Sequence, residues 1–400
     1  MKALVLALAV PLLAAVPQYR IDLSRYFATP ASEAASRRRT IADAHAFLRS
    51  TTSSVGTPMR LAAWLDAFNR LSEQLERHDL YVYVRAEENT EDTSDAQADD
   101  ALGSLEDLTG AHAGEVIASL GRERARRFVD AYAPLARYRY FIESAIARSA
   151  HDPGFAVNRA IAQLADPTIN AMGASYKVLR KKTLAEAATA THAGATAAMA
   201  KHDAFANHEE SFATMLIAIA SARNGTARLR GFSGAAEASY FNESLTLQSV
   251  TRTLNAVRAA DSYRRYDAVV AAAPAKRFVP AAIPIEKAIP LILAAERPMG
   301  AVYASAYERL FDPAQRRLDI CTDPACDGSG FSIGFAGFES GLFFGGYTGS
   351  VNSARAVAHE AGHAVHRQFM NEHQAVAVYN DGPKWMFESF AIFNELLFYD

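Results

Sequence analysis

Three observations predict a mainly α protein with a small β-sheet beside one polar helix. Apolar residues recur at helical spacing from about Ser32 to Ala260, glycine and aromatic residues alternate after Pro313, and two histidines stand four residues apart at 359 and 363. The 400 residues are 50% hydrophobic and 21% charged, enough apolar material for one or two cores and too much for a disordered chain. With 41 Lys+Arg against 44 Asp+Glu the formal charge is −3, so no basic surplus draws the chain as a whole to nucleic acid or anionic lipid.

At the N-terminus, Lys2 precedes a nearly unbroken apolar run from Ala3 to Val16 that carries Pro11 and ends in Ala14-Ala15. The run falls short of the about 20 residues that span a bilayer, which predicts a cleaved export signal over residues 1–17 and a periplasmic or secreted protein. A buried first helix in a cytoplasmic protein is the alternative. No later segment is apolar enough for a membrane span.

Two domains are expected after the signal, a helical one over residues 18–190 and a second, carrying the chemistry, over 191–400. Leu61, Trp64, Leu65, Phe68, Leu71 and Leu75 recur at three- and four-residue steps and predict one buried helix face. Asn89 to Asp100 has no apolar period and reads as a solvated acidic loop feeding the N-terminus of the next helix, its charge serving capping rather than calcium. The basic runs Arg122–Arg127 and Arg180–Lys182 read as solvated helix faces. A further periodic face runs through Leu247, Val250, Leu254 and Val257, after which Pro274, Pro280, Pro284 and Pro290 are expected to break helices.

Short strands are predicted at Phe331–Phe335 and Leu342–Phe344, followed by a turn at Gly345, Gly346 and Gly349. Ser350 to Ser353 supply candidate N-caps for a helix beginning near Ala354. The two cysteines, Cys321 and Cys326, flank Pro324, and a local disulfide fits an exported protein better than a zinc knuckle. Two free thiols remain the expectation for a cytosolic one.

The predicted helix contains His359-Glu360-Ala361-Gly362-His363. Histidines four apart lie one turn above the other, so both imidazoles can reach one zinc ion, and Glu360 can act as general base on its water. With 11 histidines in the chain, such a motif arises by chance in about 2% of sequences of this composition, which favours a real metal site. A third ligand is required. Gly at 366 and His at 369 would supply one solution, but the chain has His366 and Phe369. The following helix, Trp385 to Glu395, offers two glutamates on one face, Glu388 and Glu395. Glu388 is the nearer to the histidines in sequence, and whichever does not ligate can hold a ligand histidine by hydrogen bond.

Tyr347 to His366, followed by Glu388-Ser-Phe-Ala-Ile-Phe-Asn-Glu395, resembles the zinc core of the thimet oligopeptidase and oligoendopeptidase F family, nearer the latter. The glycine inside the zinc helix, the histidine at 366 and the glutamates seven apart carry the resemblance; Leu71–Leu105 and Arg228–Val257 extend it more loosely. It implies a mostly helical, two-lobed zinc metalloendopeptidase with a deep channel that admits oligopeptides. In it, His359, His363 and Glu388 hold one Zn2+, Glu360 is the base, and His366 and Glu395 stand just behind the ligands. Gly334, Gly345, Gly346 and Tyr347 would hold an extended peptide by backbone hydrogen bonds. Members of this family lack export signals as a rule and continue well past the third ligand, into a segment that supplies Tyr and His donors to the oxyanion. The expectation is therefore of a chain lacking that C-terminal segment. The rival reading is a catalytically impaired, zinc-bearing peptide-binding protein.

Overall fold

A computed structural model describes residues 19–192, 196–272, 282–322, 326, 328–374, 376–379 and 382–399. The export-signal reading of residues 1–17 lies outside them. In chain order the helices begin with α1 (Pro30–Phe47), α2 (Pro58–Glu88), α3 (Thr93–Ala118), α4 (Arg122–Ala131) and α5 (Arg139–Ser149). Next come α6 (Phe155–Ala160), α7 (Asp166–His192), α8 (Ala197–Ala206), α9 (Glu209–Leu229), α10 (Ala235–Asn242), α11 (Leu247–Ala259) and α12 (Ser262–Ala272). The remainder is α13 (Ile285–Glu296), α14 (Ala301–Phe311), three strands β1 (Leu318–Cys321), β2 (Gly330–Ile333) and β3 (Gly341–Gly345), then α15 (Val351–His373) and α16 (Lys384–Tyr399). The protein is mainly α with one small sheet. No helix among the described residues is long and apolar enough to cross a membrane.

The chain forms two compact units, one from the residues up to Glu143 together with those after 275, the other from Ser144 to 275. This division differs from the expected boundary after residue 190, which falls inside α7. The first unit closes on itself because α2 and α3 pack against the strands that follow at least 200 residues later. Leu71, Leu75, Val82, Leu102 and Phe343 share one core cluster.

That core explains β3. Its neighbours on either side are β1, parallel, and β2, antiparallel. Side chains alternate across the sheet, so Phe343 faces the α2–α3 cluster while Leu342 and Phe344 join a second cluster with Ile289, Ile292, Tyr307, Leu310 and the alanines of α15. A strand covered on both faces reads as a continuous apolar run, as Leu342-Phe-Phe344 does. β1 escaped the sequence reading because Asp319 interrupts it, although that side chain is buried and accepts from the Ile21 amide at 3.3 Å.

Several local expectations change. The acidic stretch after Asn89 is helical from Thr93, with Asp92 as N-cap accepting from Ser94 N; its carboxylates stand at a helix N-terminus, where the dipole favours them. Pro290 lies inside α13 rather than ending it, held there by the burial of Ala288, Ile289 and Ile292 on the same helix. In the second unit, Leu247, Leu254 and Val257 of α11 are exposed. The disulfide expected between Cys321 and Cys326, by contrast, is formed.

α15 is fixed to the sheet by a buried hydrogen-bonded hub. Ser340, just before β3, donates from Oγ to Ala364 O at 2.5 Å and from its amide to Gln368 Oε1 at 2.8 Å. Arg317, just before β1, donates to Ser340 O at 2.6 Å and to the same Gln368 oxygen at 2.7 Å. Such a fully engaged polar cluster sets both the rotation and the height of the helix that carries the histidines.

Candidate metal centre

Ser350 caps α15: its side chain accepts from Ser353 N at 3.1 Å, and the Ser353 hydroxyl accepts from Ser350 N at 3.0 Å, a reciprocal capping box. The helix thus begins three residues before Ala354. Ala354, Val357, Ala358, Ala361, Ala364 and Val365 are buried on the α13–α14 side, while His359 and His363 project toward α16.

α16 comes close because residue 362 is glycine. A Cβ there would lie 2.8 Å from Asn394 Nδ2 and 2.9 Å from Ala391 Cα. Asn394, fully buried, is held by Tyr303, whose hydroxyl donates to Asn394 Oδ1 at 3.0 Å. At this crossing Glu388 reaches both histidines: its Oε2 lies 3.6 Å from His359 Nε2 and 3.6 Å from His363 Nε2. The donor atoms of His359, His363 and Glu388 all fall within 4.8 Å of one another.

These separations are long for hydrogen bonds. Two donors on one tetrahedral ion at about 2.0–2.1 Å lie about 3.4 Å apart, close to the spacing seen. Two imidazole nitrogens and a carboxylate oxygen are also the donor set that suits zinc and related divalent ions. The residues fit such an ion.

The surrounding groups orient these side chains. His359 Nδ1–H donates to Glu395 Oε2 at 3.1 Å, which leaves the Nε2 lone pair free, and Arg355 pairs with the other oxygen of Glu395. The Phe387 ring stacks on His363 at 4.1 Å and 16°. Burial, followed by the neighbouring His359, pushes His363 down to about 4, so its imidazole is neutral and available to a metal at pH 7. His366 is buried with its ring 4.2 Å from Phe390 and 5.4 Å from Phe387.

Glu360 points to the sheet side. Burial, then the negative Glu388, raise it to about 7. The backbone of β2 passes beside it at Gly330, where a Cβ would meet Phe344 at 2.7 Å and Glu360 Cγ at 3.0 Å. Any larger residue at 330 would press on the Phe344 ring first and on the Glu360 side chain with it.

The residues expected to hold a peptide have other partners. Gly345 lies in the central strand and its amide donates to Ser329 O at 2.7 Å; the Gly346 amide donates to Cys321 O at 3.0 Å. The Tyr347 hydroxyl donates to Ile283 O at 2.7 Å, and Gly334 O accepts from Arg367 at 3.1 Å. The edge strand next to the histidines is β2. The sequence reading missed Gly330, Arg355, Phe387 and Asn394. Of these only Arg355, one turn before His359, carried a visible signal.

No protein-family model and no curated protein matches the chain. Solved structures do, and they are peptidases by description. A protein of Chlamydophila abortus assigned as a peptidase superposes with a TM-score of 0.68 at 16% identity, covering 96% of this chain and 70% of its own. PZ peptidase A, solved with an inhibitor, gives 0.62 at 14% identity over 90% of this chain and 67% of its own. A Bacillus anthracis protein assigned as oligoendopeptidase F gives 0.62 at 14% identity, with 90% and 69% covered. The chain has the fold of the oligoendopeptidase-type peptidases.

Proposed function

We propose that this chain is a zinc-dependent metalloendopeptidase acting on oligopeptides, with His359, His363 and Glu388 as the metal ligands and Glu360 as the general base. The observation that carries this is the convergence of three donor atoms within 4.8 Å in a fold shared with oligoendopeptidase-type proteins. A bound ion supplies a Lewis acid that acidifies a water and polarises the scissile carbonyl.

The chain's own groups do the rest. Glu360, with its proton affinity raised, accepts the proton of the attacking water and returns it to the leaving amine nitrogen. Glu395 keeps His359 oriented, and Phe387 keeps His363 in its plane. An extended peptide is placed along β2, the strand whose Gly330 abuts Glu360, because β3 is paired on both sides. The Cys321–Cys326 bridge supports a periplasmic or secreted location, since such bonds persist in oxidising compartments.

A quenched fluorescent peptide assay with metal analysis tests the reading. Wild type cleaves, a chelator stops it, and zinc restores it; Glu360→Gln keeps its metal and loses at least about 100-fold in turnover, the contribution expected of a general base. Full activity in that variant, or cleavage that ignores the chelator, would overturn the proposal.

A further inference from the structure

α15 and α16 run antiparallel through the site, and their polar side chains mesh as a ladder. On α15, Arg355, His359 and His363 follow one another at four-residue steps along one face. On α16, Glu395 and Glu388 stand seven residues, two turns, apart. Each carboxylate bridges two successive rungs: Glu395 contacts Arg355 and His359, and Glu388 contacts His359 and His363.

We propose that Arg355 is the positioning residue that decides which glutamate binds the metal, by holding Glu395 behind His359 and leaving Glu388 to the ion. The inference rests on the metal-site reading above. Its warrant is charge and geometry. One oxygen of Glu395 is taken by the guanidinium and the other by His359 Nδ1–H, so both oxygens are engaged and its charge is compensated. Among the described residues Glu388 shows no such ion pair with a cationic Arg or Lys. Its ion-pair contacts among the described residues are the two imidazoles alone, and its side chain is 54% exposed against 20% for Glu395. A cation at the imidazole nitrogens therefore meets one carboxylate that is free to turn toward it and one already committed. The same contact dictates the His359 tautomer: an acceptor at Nδ1 keeps the proton there and presents the bare Nε2 to the ion. Arginine suits the task because its charge persists at any working pH and its planar fork orients a carboxylate.

The experiment has two arms. In the first, long-range 1H–15N spectra of the metal-free wild type report the His359 tautomer. Protonation at Nδ1 is the expected result, and protonation at Nε2 would overturn the assignment. In the second, zinc affinity is measured by competition with a chromophoric chelator for wild type, Arg355→Met, Arg355→Lys and Glu395→Gln. Loss of the guanidinium in Arg355→Met is expected to weaken zinc by about 10–100-fold and to mix the His359 tautomers, with Arg355→Lys recovering part of both. Affinity within twofold of wild type and an unmixed tautomer in folded Arg355→Met would refute the role. Should that variant not fold, the wild-type tautomer and the Glu395→Gln affinity decide. Wild type that binds no stoichiometric zinc yet shows His359 protonated at Nδ1 would instead sink the metal-site reading, and so separates the two failures.

Discussion

Replacing Gly362 with alanine tests the packing that brings Glu388, the proposed third ligand, to the histidines. In an unencumbered helix the change stabilises by about 1 kcal/mol, because glycine is the poorer helix former. Here the new methyl would sit 2.8 Å from Asn394 Nδ2 and 2.9 Å from Ala391 Cα, where ordinary contact needs at least 3.4 Å. The second neighbour is backbone and cannot rotate away, so α16 must retreat by about half an ångström or more. Overpacking of this kind costs about 1–3 kcal/mol, leaving a net destabilisation of about 0–2 kcal/mol after the propensity gain. The larger effect is expected on affinity at the proposed metal site, since Glu388 moves with α16 and its distance to both imidazoles grows. Gly110 of α3 is the internal control, having no atom within 4 Å of its Cβ position; Gly110→Ala is expected to stabilise by about 1 kcal/mol. Urea unfolding followed by circular dichroism, with zinc affinity by chelator competition, reads both variants. If Gly362→Ala stabilised like Gly110→Ala and bound zinc as wild type does, the close helix approach would not be what sets the site.

Two further outcomes follow from buried groups. Glu296 is fully buried with neither carboxyl oxygen hydrogen-bonded among the described residues, and burial raises it to about 8. The folded protein therefore holds a proton that the unfolded chain releases near its ordinary 4.5; the contribution to stability is complete below pH 4.5 and is lost as pH rises through 8. Glu296 should contribute a fall approaching about 1.4 kcal/mol per pH unit between those limits, beside the like contributions of Asp79, raised to about 8, and of Asp319 and Glu360, raised to about 7, and Glu296→Gln should lessen the total slope by that share in urea titrations at pH 5, 7 and 9. An unchanged slope would show that Glu296 ionises normally. The Cys321–Cys326 bridge closes a short loop, so the double serine variant should lose about 2 kcal/mol, and the native protein should present no thiol to alkylation before reduction.

Much of this architecture was legible where a local pattern has one physical solution. The apolar steps from Leu61 to Leu75 fix the buried face of α2, the Ser350–Ser353 pair fixes the start of α15, and the four-residue spacing of His359 and His363 fixes their common face. What escaped depends on partners distant in the chain. β1 was hidden because Asp319 is accommodated by the amide of Ile21, nearly 300 positions away. The division into compact units differs from the expected boundary because the chain leaves the first unit at Glu143 and returns after 275, which no local composition reveals. At the site, the sequence placed both glutamates on one face and favoured Glu388 as the one nearer the histidines; what it did not show is how closely α16 crosses at Gly362 to bring Glu388 to both imidazoles. Gly345 and Gly346 looked free to grip a peptide, yet in a central strand and its exit their amides are used within the fold.

The meeting of α15 and α16 at Gly362 bears on how the centre would handle its ion. Two of the three proposed donors share a helix bolted to the sheet through Ser340, and the third rides on a neighbour held by Asn394 and Tyr303. In small zinc modules the ion itself assembles the chain, and removing it unravels the domain. A centre mustered by packing beforehand can be stripped and reloaded reversibly, and could exchange one divalent ion for another while the polypeptide around it stands still.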